Sequence, residues 1–159
     1  MRNDEDIQDA MCQYGDAVLR SCLSTLANRH DAEDAFQETF LRYSLHDADF
    51  ANENHRKAWL VRVAVNISRD RLRKASMRDI PLESTAESQT PQTEDNADQR
   101  MQIRQALGQL SPDQRTAILL SVVEGFPARE IAEMMNMPEN TVYSLIARGK
   151  KKLREVLAQ

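Results

Sequence analysis

A stretch almost free of apolar side chains, residues 81–99, separates two segments that have the three- and four-residue apolar spacing of amphipathic helices. It reads PLESTAESQTPQTEDNADQ. Such a stretch cannot bury enough apolar surface to offset the entropy cost of ordering it. We therefore expect a flexible linker over residues 79–99, joining two small helical domains rather than one large core.

The composition favours helices throughout both segments. Only four Gly and five Pro occur in 159 residues, and the chain is rich in Ala, Leu, Arg, Glu and Gln. Sandwiches and barrels need many more turn residues and β-branched runs. The predicted fold class is all-α.

Membrane insertion is not expected. No run approaches the roughly 18 apolar residues that a membrane span needs. The first nine residues are acidic, whereas a signal peptide begins with basic residues followed by an apolar run. We expect a soluble cytoplasmic protein.

The cysteines and histidines suggest neither a disulfide nor a metal site. Cys12 and Cys22 are ten residues apart in one helical pattern, about 15 Å along the axis and too far for a disulfide. We expect both to be small buried side chains. His30, His46 and His55 have no partners at metal-ligand spacing, so no metal and no cofactor is predicted.

The N-terminal segment, residues 1–78, predicts a three-helix bundle. The first helix runs from Asp4 to Asn28, the second begins at Asp31, and the third runs from about Arg56 to Met77, after a loop at 47–55. The apolar stripe of the first helix comprises Ile7, Met11, Tyr14, Val18, Cys22 and Leu26. The predicted buried side of the third comprises Trp59, Leu60, Val63, Ala64 and Ile67.

The C-terminal segment, residues 100–159, predicts further helices. The one near 98–109 is expected to bury Met101, Ile103 and Leu107. A capping box then opens a helix at Ser111, which is expected to end at Gly125. Its predicted packing residues are Ala117, Ile118, Leu120, Ser121 and Val122.

Two more helices follow, opened by Pro127 and by Pro138, with a tight turn at Asn136 suited to a left-handed conformation. This spacing predicts a helix-turn-helix, although any pair of antiparallel helices shares the periodicity. Gly149 is expected on the buried side of the last helix.

Charge is strongly segregated along the chain. Residues 1–55 carry 12 acidic and 4 basic side chains, whereas residues 56–78 carry 8 basic ones and a single acid. The linker is acidic, and residues 100–159 carry nine bases and six acids. Basic runs on two helical modules suit a protein that holds a polyanion at two places. A solvated helix face remains the alternative for either run alone.

Four collinear motifs resemble the extracytoplasmic-function sigma factors, the minimal bacterial transcription initiation factors. DAEDAFQETFLR from Asp31 resembles the family's polymerase-clamp-binding helix, and WLVRVAVNISRDRLR from Trp59 its promoter-melting helix. LSPDQR, EIAE and MPENTVYS resemble its C-terminal domain. The resemblance covers about residues 5–78 and 100–158.

The resemblance implies a partner and a site for each region. Core RNA polymerase would be contacted at its clamp helices by Asp34, Gln37, Glu38 and Arg42. A surface around Ile118 and Leu119 would contact its flap, although core packing explains these two residues equally well. The unwound minus-ten element would be held by the 47–55 loop and by Asn54, Arg62, Asn66, Arg69, Asp70 and Arg73. The minus-thirty-five element would be bound in its major groove by Arg115, Thr141, Tyr143, Ser144, Ala147, Arg148 and Lys151. An anti-sigma factor is also implied as a partner.

The recognition helix departs from the family pattern. It reads TVYSLIARG, so that Tyr143 and Leu145 replace two basic residues and Gly149 replaces an alanine. Fewer positive charges should weaken phosphate binding. Family rules for promoter sequence therefore do not transfer to this chain.

Two other functions are alternatives to a sigma factor. A dimeric DNA-binding regulator would share the helix-turn-helix but leaves the two N-terminal motifs unexplained. An enzyme lacks support, because no Gly-rich phosphate loop, metal constellation or nucleophile–base pair is evident.

Overall fold

The computed structural model describes residues 1–77 and 97–158, and every regular element in these ranges is a helix. Its helices are α1 (Asp4–Leu26), α2 (Arg29–Leu45), α3 (Glu53–Met77), α4 (Ala97–Gly108), α5 (Pro112–Ile118), α6 (Ala128–Met135) and α7 (Glu139–Leu157). The all-α prediction is confirmed. The predicted linker lies outside the described residues, except for 97–99, which already belong to α4. Within these ranges no helix is long and apolar enough to cross a bilayer.

Asparagine caps set where the first three helices begin. The Asn3 side chain accepts from the Asp6 N–H at 2.8 Å, and Asn28 accepts from the Asp31 N–H at 3.0 Å. The predicted start of α2 at Asp31 was therefore two residues late, because Asn28 rather than Asp31 satisfies the free backbone donors. Similarly, Asn52 accepts from the His55 N–H at 2.8 Å, so α3 begins at Glu53 and not near Arg56.

Helices α1, α2 and α3 bury a core along the predicted stripes, with two exceptions on α1. Val18, Cys22 and Leu26 are buried. Met11 is 40% exposed, and Cys12 is exposed. Both predictions were wrong because the buried stripe of α1 runs through Ala10, Tyr14 and Ala17–Val18, and positions 11 and 12 lie on its other side.

The α5 start is the predicted capping box, in which the Ser111 hydroxyl accepts from the Gln114 N–H and the Gln114 side chain accepts from the Ser111 N–H. The helix then widens into a single π turn over Leu119–Val123, in which the Glu124 N–H donates to Leu119 O at 3.0 Å. A π turn adds a residue and rotates the positions that follow it. Val122, predicted to pack, is therefore 59% exposed.

Helix α4 packs less of its apolar surface than the sequence suggests. Met101 and Ile103 are 57% and 50% exposed, contrary to prediction, and Leu107 is half-buried. Buried Ala106, near the end of the helix, and buried Leu110, just after the helix, provide the contact instead.

The turn between α6 and α7 is the one the sequence predicts. Asn136 adopts the left-handed conformation, with φ 53° and ψ 53°, and the Met137 N–H donates to Ala132 O at 3.0 Å. Gly149 is buried on α7. A Cβ built there would lie 2.3 Å from Ile118 Cδ1, so an alanine at this position would require the Ile118 side chain to move.

Helix α3 buries two faces rather than one. Leu60, Ala64 and Ile67 join the N-terminal core. Val61 and Val65, on the adjoining face, are fully buried in a second core made by the C-terminal helices. The C-terminal members of that second core are Ala117, Leu120, Ile131, Met134, Met135 and Val142. The two helical units therefore pack directly against each other.

Candidate functional site

The outer face of α7 presents a polar and basic surface to solvent. The helix follows the tight turn at Asn136, and Val142 and Gly149 anchor its opposite side. Every residue predicted to contact the minus-thirty-five element from this helix is exposed: Thr141, Tyr143, Ser144, Ala147, Arg148 and Lys151. A helix exposed in this way after a tight turn has the geometry that enters a major groove.

Beside this face lies an open depression of about 430 Å³. It is lined by Gln109, Gln114, Arg148, Lys151, Lys152 and Glu155. Three cationic side chains against one carboxylate favour an anionic occupant such as a backbone phosphate.

Arg115 lies apart from that surface. Its Nε donates to Ser24 O at 2.8 Å and its Nη1 donates to Leu110 O at 3.2 Å. Burial lowers the pKa of the Arg115 guanidinium. In this arrangement the side chain connects α5 to α1 instead of facing solvent with α7.

The predicted minus-ten residues of α3 separate into two groups. Arg62, Asn66 and Arg73 are exposed on one side of the helix. Asp70 is paired there with Arg73 and Lys74, and hydrogen bonds from these two cations lower the pKa of its carboxyl. Arg69 is different, because it donates to Met135 O and lies 3.4 Å from Asp113 Oδ1.

The loop before α3 rests on an aromatic cluster. Phe50 stacks on Tyr43 with ring centroids 6.2 Å apart and lies 5.8 Å from Trp59. The Ala51 N–H donates to His55 Nδ1 at 3.0 Å, which closes the loop onto the first turn of α3. Asn54, the predicted base contact, is exposed in the first turn of α3, directly after this loop. Trp59 is half-buried in the cluster and acts as its packing anchor.

Arg2 holds the same loop from the other side. Its guanidinium donates to Ala48 O at 2.7 Å and to Tyr43 O at 3.2 Å, and it lies 4.4 Å from the centre of the Tyr43 ring. These contacts fix the loop backbone relative to α2. Sequence reasoning missed Arg2 because nothing in the local pattern marks so distant a partner.

Arg56 is the second residue that sequence reasoning missed. Only 9% of its side chain is exposed, and it donates to Asp6 and Asp9 at 2.9 Å and to the Tyr43 hydroxyl at 3.0 Å. Tyr43 in turn donates to Asp6 at 2.5 Å. The hydrogen bond from Tyr43, with help from Arg2 and Arg56, lowers the pKa of the Asp6 carboxyl. This network joins α1, α2 and the start of α3.

The predicted polymerase-binding residues share the outer face of α2. Gln37 and Arg42 are exposed, and Asp34 is partly exposed with His30 3.7 Å away. Glu38 differs, because it accepts from Arg71 of α3 at 2.9 Å and from Arg42 at 3.0 Å. The Arg71 hydrogen bond lowers the pKa of the Glu38 carboxyl, with a further contribution from Arg42. Glu38 therefore also connects α2 to α3.

Other candidate chemistry is sparse in the described part of the chain. Residues 1–77 and 97–158 contain no cluster of three or more His, Cys, Asp or Glu side chains that could hold a metal ion. The proposed flap surface is divided, because Ile118 is buried against α7 and Leu119 is half-buried.

Comparison with known families gives two matches in chain order. Residues 11–78 match the model "Sigma-70 region 2", and residues 100–153 match "Sigma-70, region 4". Both matches avoid the apolar-poor stretch between the two units.

Similar proteins extend over nearly the whole chain. The ECF RNA polymerase sigma factor SigW of Bacillus subtilis is 29% identical, over 98% of this chain and 91% of that protein. The RNA polymerase sigma factor CarQ of Myxococcus xanthus is 33% identical, over 96% of this chain and 89% of that protein. The ECF sigma factor SigL of Mycobacterium tuberculosis is 30% identical, over 92% and 86% respectively.

Two solved structures share the fold. Sigma factor RpoE of Bartonella quintana, in complex with the anti-sigma factor NepR, superposes with a TM-score of 0.77 at 23% identity, covering 97% of this chain and 98% of that one. CnrH, in complex with the cytosolic domain of CnrY, gives a TM-score of 0.65 at 23% identity, covering 98% and 90%.

Proposed function

Because the chain belongs to the family of extracytoplasmic-function RNA polymerase sigma factors, we propose a division of work between its two units. It is a transcription initiation factor that binds core RNA polymerase and directs it to promoters, and it is not an enzyme. Residues 1–78 form the domain for clamp binding and minus-ten recognition. Residues 100–159 form the domain for minus-thirty-five recognition, and residues 79–99 are assigned as the linker between the two domains.

Polymerase binding is assigned to the outer face of α2. Asp34, Gln37 and Arg42 supply exposed polar groups there, and the Arg71–Glu38 ion pair holds that face in register with α3. Attraction between this acidic face and a basic surface on the clamp helices would speed their association. The flap contact is assigned to Leu119 and to Val122 and Val123, the exposed side chains of the same π turn.

Minus-ten recognition is assigned to the exposed side of α3 and to the loop before it, which packs on the aromatic cluster. Asn54 in the first turn of α3 and Asn66 further along the same helix are both exposed and offer hydrogen-bonding groups to unstacked bases. Arg62, Arg69 and Arg73 are the proposed phosphate contacts, as on other single-strand-binding surfaces. Asp70 orients Arg73 through their ion pair.

Minus-thirty-five recognition is assigned to α7, and the exposed stripe on this helix is the observation that carries the proposal. Arg148 is placed to bind guanine in the major groove, with Tyr143, Ser144 and Ala147 beside it. Thr141 and Lys151 are the proposed phosphate contacts on this helix, and Arg115 is a third on α5. Tyr143 suits a thymine methyl group better than the basic residue usual in the family.

An anti-sigma factor is the proposed regulator, and the cytoplasm, where RNA polymerase acts, is the proposed location. The two structural neighbours with this fold are bound to an anti-sigma factor or to a cytosolic domain. A protein that covered α2 and α7 would block both proposed binding faces together.

The test is stoichiometric capture of bacterial core RNA polymerase by the purified chain, followed by run-off transcription from a library of genomic fragments. We expect a one-to-one complex and transcripts that share a promoter sequence. Core polymerase alone and polymerase with a heat-denatured chain are the controls. Absence of binding to polymerase, together with tight duplex binding by a dimer of the chain, would overturn the proposal in favour of a conventional regulator.

A further inference from the structure

The loop between α2 and α3, residues 46–52, lies directly before the proposed base contact Asn54 and is open to solvent. Four of its side chains are exposed: Ala48, Asp49, Ala51 and Asn52. A short exposed segment keeps a single conformation only where other parts of the protein hold it. The groups that hold this loop therefore decide the shape that a DNA strand meets.

Arg2 holds the loop by its backbone. Each of the three guanidinium nitrogens donates to a different residue: Nη2 to Ala48 O at 2.7 Å, Nε to Tyr43 O at 3.2 Å and Nη1 to Asp6 at 2.9 Å. The Arg2 side chain is only 12% exposed. Because the guanidinium is planar and rigid, these three bonds fix the distance between the loop and the end of α2.

The backbone of Arg2 also contacts the last turn of α2. The Arg2 N–H donates to Ser44 O at 2.9 Å, next to the Tyr43 carbonyl that accepts from the guanidinium. The last carbonyl groups of a helix lack partners within the helix, and a cation near them is stabilising. Arg2 therefore fixes both the end of α2 and the direction in which the loop leaves it.

The guanidinium further lies against the aromatic cluster beneath the loop. Its Cζ is 4.4 Å from the centre of the Tyr43 ring and 5.1 Å from the centre of the Phe50 ring. Both distances are those of cation–π contacts. Phe50 belongs to the loop, so Arg2 contacts a side chain of the loop as well as one of its carbonyl groups.

Asp6 extends the same network to the other end of the loop. One of its carboxylate oxygens accepts from Arg2, and the other accepts from the Tyr43 hydroxyl at 2.5 Å and from Arg56 at 2.9 Å. Arg56 lies in the first turn of α3, two residues after Asn54. Groups that share one carboxylate therefore hold the loop on both sides.

We propose that Arg2 is a positioning residue for minus-ten recognition, which holds the 46–52 loop in the conformation that receives an unstacked base without contacting the DNA itself. This inference rests on the proposed function of the loop and of Asn54. It adds a residue that lies outside the segment matching Sigma-70 region 2, residues 11–78. A loop that is already ordered binds its ligand without the entropy cost of ordering it during binding.

Backbone order parameters from NMR relaxation of the free chain test whether Arg2 orders the loop. We expect values for residues 46–52 to fall from about 0.85 in the parent to below about 0.6 in Arg2→Ala. Val18→Ala is the control, because it removes buried atoms from the same unit about 18 Å along α1 from Asp6. Unchanged values in Arg2→Ala, or an equal fall in Val18→Ala, would overturn the inference.

Binding of single-stranded DNA by the holoenzyme tests the consequence for recognition. The probe is a fluorescent non-template strand of a promoter recovered by run-off transcription, compared with a strand whose minus-ten sequence is scrambled. We expect Arg2→Ala to bind the matched strand about tenfold more weakly and the scrambled strand as before. Its affinities for core polymerase and for minus-thirty-five duplex should not change. Val18→Ala should keep the parent ratio of matched to scrambled binding, and loss of that ratio there would contradict the role of Arg2.

Arg2→Lys separates positioning from charge. It keeps the positive charge, but an ammonium group cannot replace the planar guanidinium, so we expect the same loss of matched binding as in Arg2→Ala. Full recovery with lysine, or equal loss by Arg2→Ala on both strands with a smaller salt slope, would mean a direct phosphate contact and overturn the positioning role. If the parent holoenzyme does not distinguish the two strands, the proposed minus-ten function itself fails and this inference falls with it.

Discussion

The Thr25 and Thr116 hydroxyls lie 2.8 Å apart across 91 residues of chain, and both residues are buried. The Thr25 hydroxyl also donates to Ser21 O within α1 at 3.4 Å, whereas the hydroxyl partners of Thr116, Ser24 and Thr25, both lie in α1. The pair therefore ties α1 to α5 in a specific register. It also shows that the two helical units meet through polar as well as apolar contacts.

Arg56 is expected to contribute most to the stability of the N-terminal unit among its charged residues. Arg56→Met would leave Asp6, Asp9 and the Tyr43 hydroxyl without their shared donor. We expect a loss of about 2–3 kcal/mol, measured by urea unfolding, since the carboxylates stay partly hydrated. Arg62→Met, at an exposed position on the same helix, is the control and should change stability by less than about 0.5 kcal/mol. Equal effects of the two variants would contradict this role.

Acid should weaken the same network. The pKa of Asp6 is lowered in the folded protein from its ordinary value of 3.8, mainly by the Tyr43 hydrogen bond. The stabilisation is therefore complete above that value and is lost as the pH falls through the lower folded pKa. Asp6→Asn should reduce stability at pH 7 and flatten the pH dependence of unfolding below pH 4. A variant curve parallel to the parent curve in that range would contradict this assignment.

Gly149 and Ile118 are expected to be energetically coupled. A Cβ at position 149 would lie 2.3 Å from Ile118 Cδ1, so Gly149→Ala should destabilise the protein by about 1 kcal/mol despite the better helix propensity of alanine. Ile118→Val removes that methyl group and should rescue the alanine variant. We expect a coupling of at least about 1 kcal/mol in a double-mutant cycle followed by thermal unfolding. Additive effects would mean that the two positions do not meet.

Substitutions on the outer face of α2 should weaken polymerase binding without unfolding the protein. Asp34→Lys together with Glu38→Lys is expected to weaken polymerase binding while each unit stays folded by circular dichroism. Because Glu38 also pairs with Arg71, Asp34→Lys alone is the cleaner variant and should lower affinity about tenfold with no change in melting temperature. Glu38→Gln is its counterpart and should lower stability more than affinity. Unchanged affinity in the folded double variant would count against this docking face.

Arg148 and Lys151 should behave differently on DNA. Arg148→Ala is expected to lose selectivity for the matched minus-thirty-five element by about 1–3 kcal/mol, because a base contact is removed. Lys151→Ala should weaken binding equally on matched and scrambled elements and reduce the salt slope by about one. Fluorescence anisotropy with polymerase holoenzyme at several salt concentrations measures both. Equal losses for Arg148→Ala on both sequences would contradict its assigned role.

Local patterns in the sequence were enough to predict the helices, the Ser111 capping box, the left-handed Asn136 and the exposed face of α7. Each depends on residues within a few positions of one another, where periodicity and hydrogen-bonding groups decide the outcome. The same patterns misplaced Val122, because a π turn changed the register beyond Leu119, and Met101, because the extent of packing on α4 depends on a distant helix.

Only the tertiary structure decided what the arginines contact and how the two units meet. Arg2, Arg56, Arg69 and Arg115 find partners between 41 and 91 residues away along the chain, and no local spacing signals such pairs. Val61 and Val65 did carry a sequence signal, because they form a second apolar face on α3. Whether that face is buried depends on another core being available to cover it. Helices form from short-range propensity, whereas the junction forms from the complementarity of surfaces that the sequence keeps far apart.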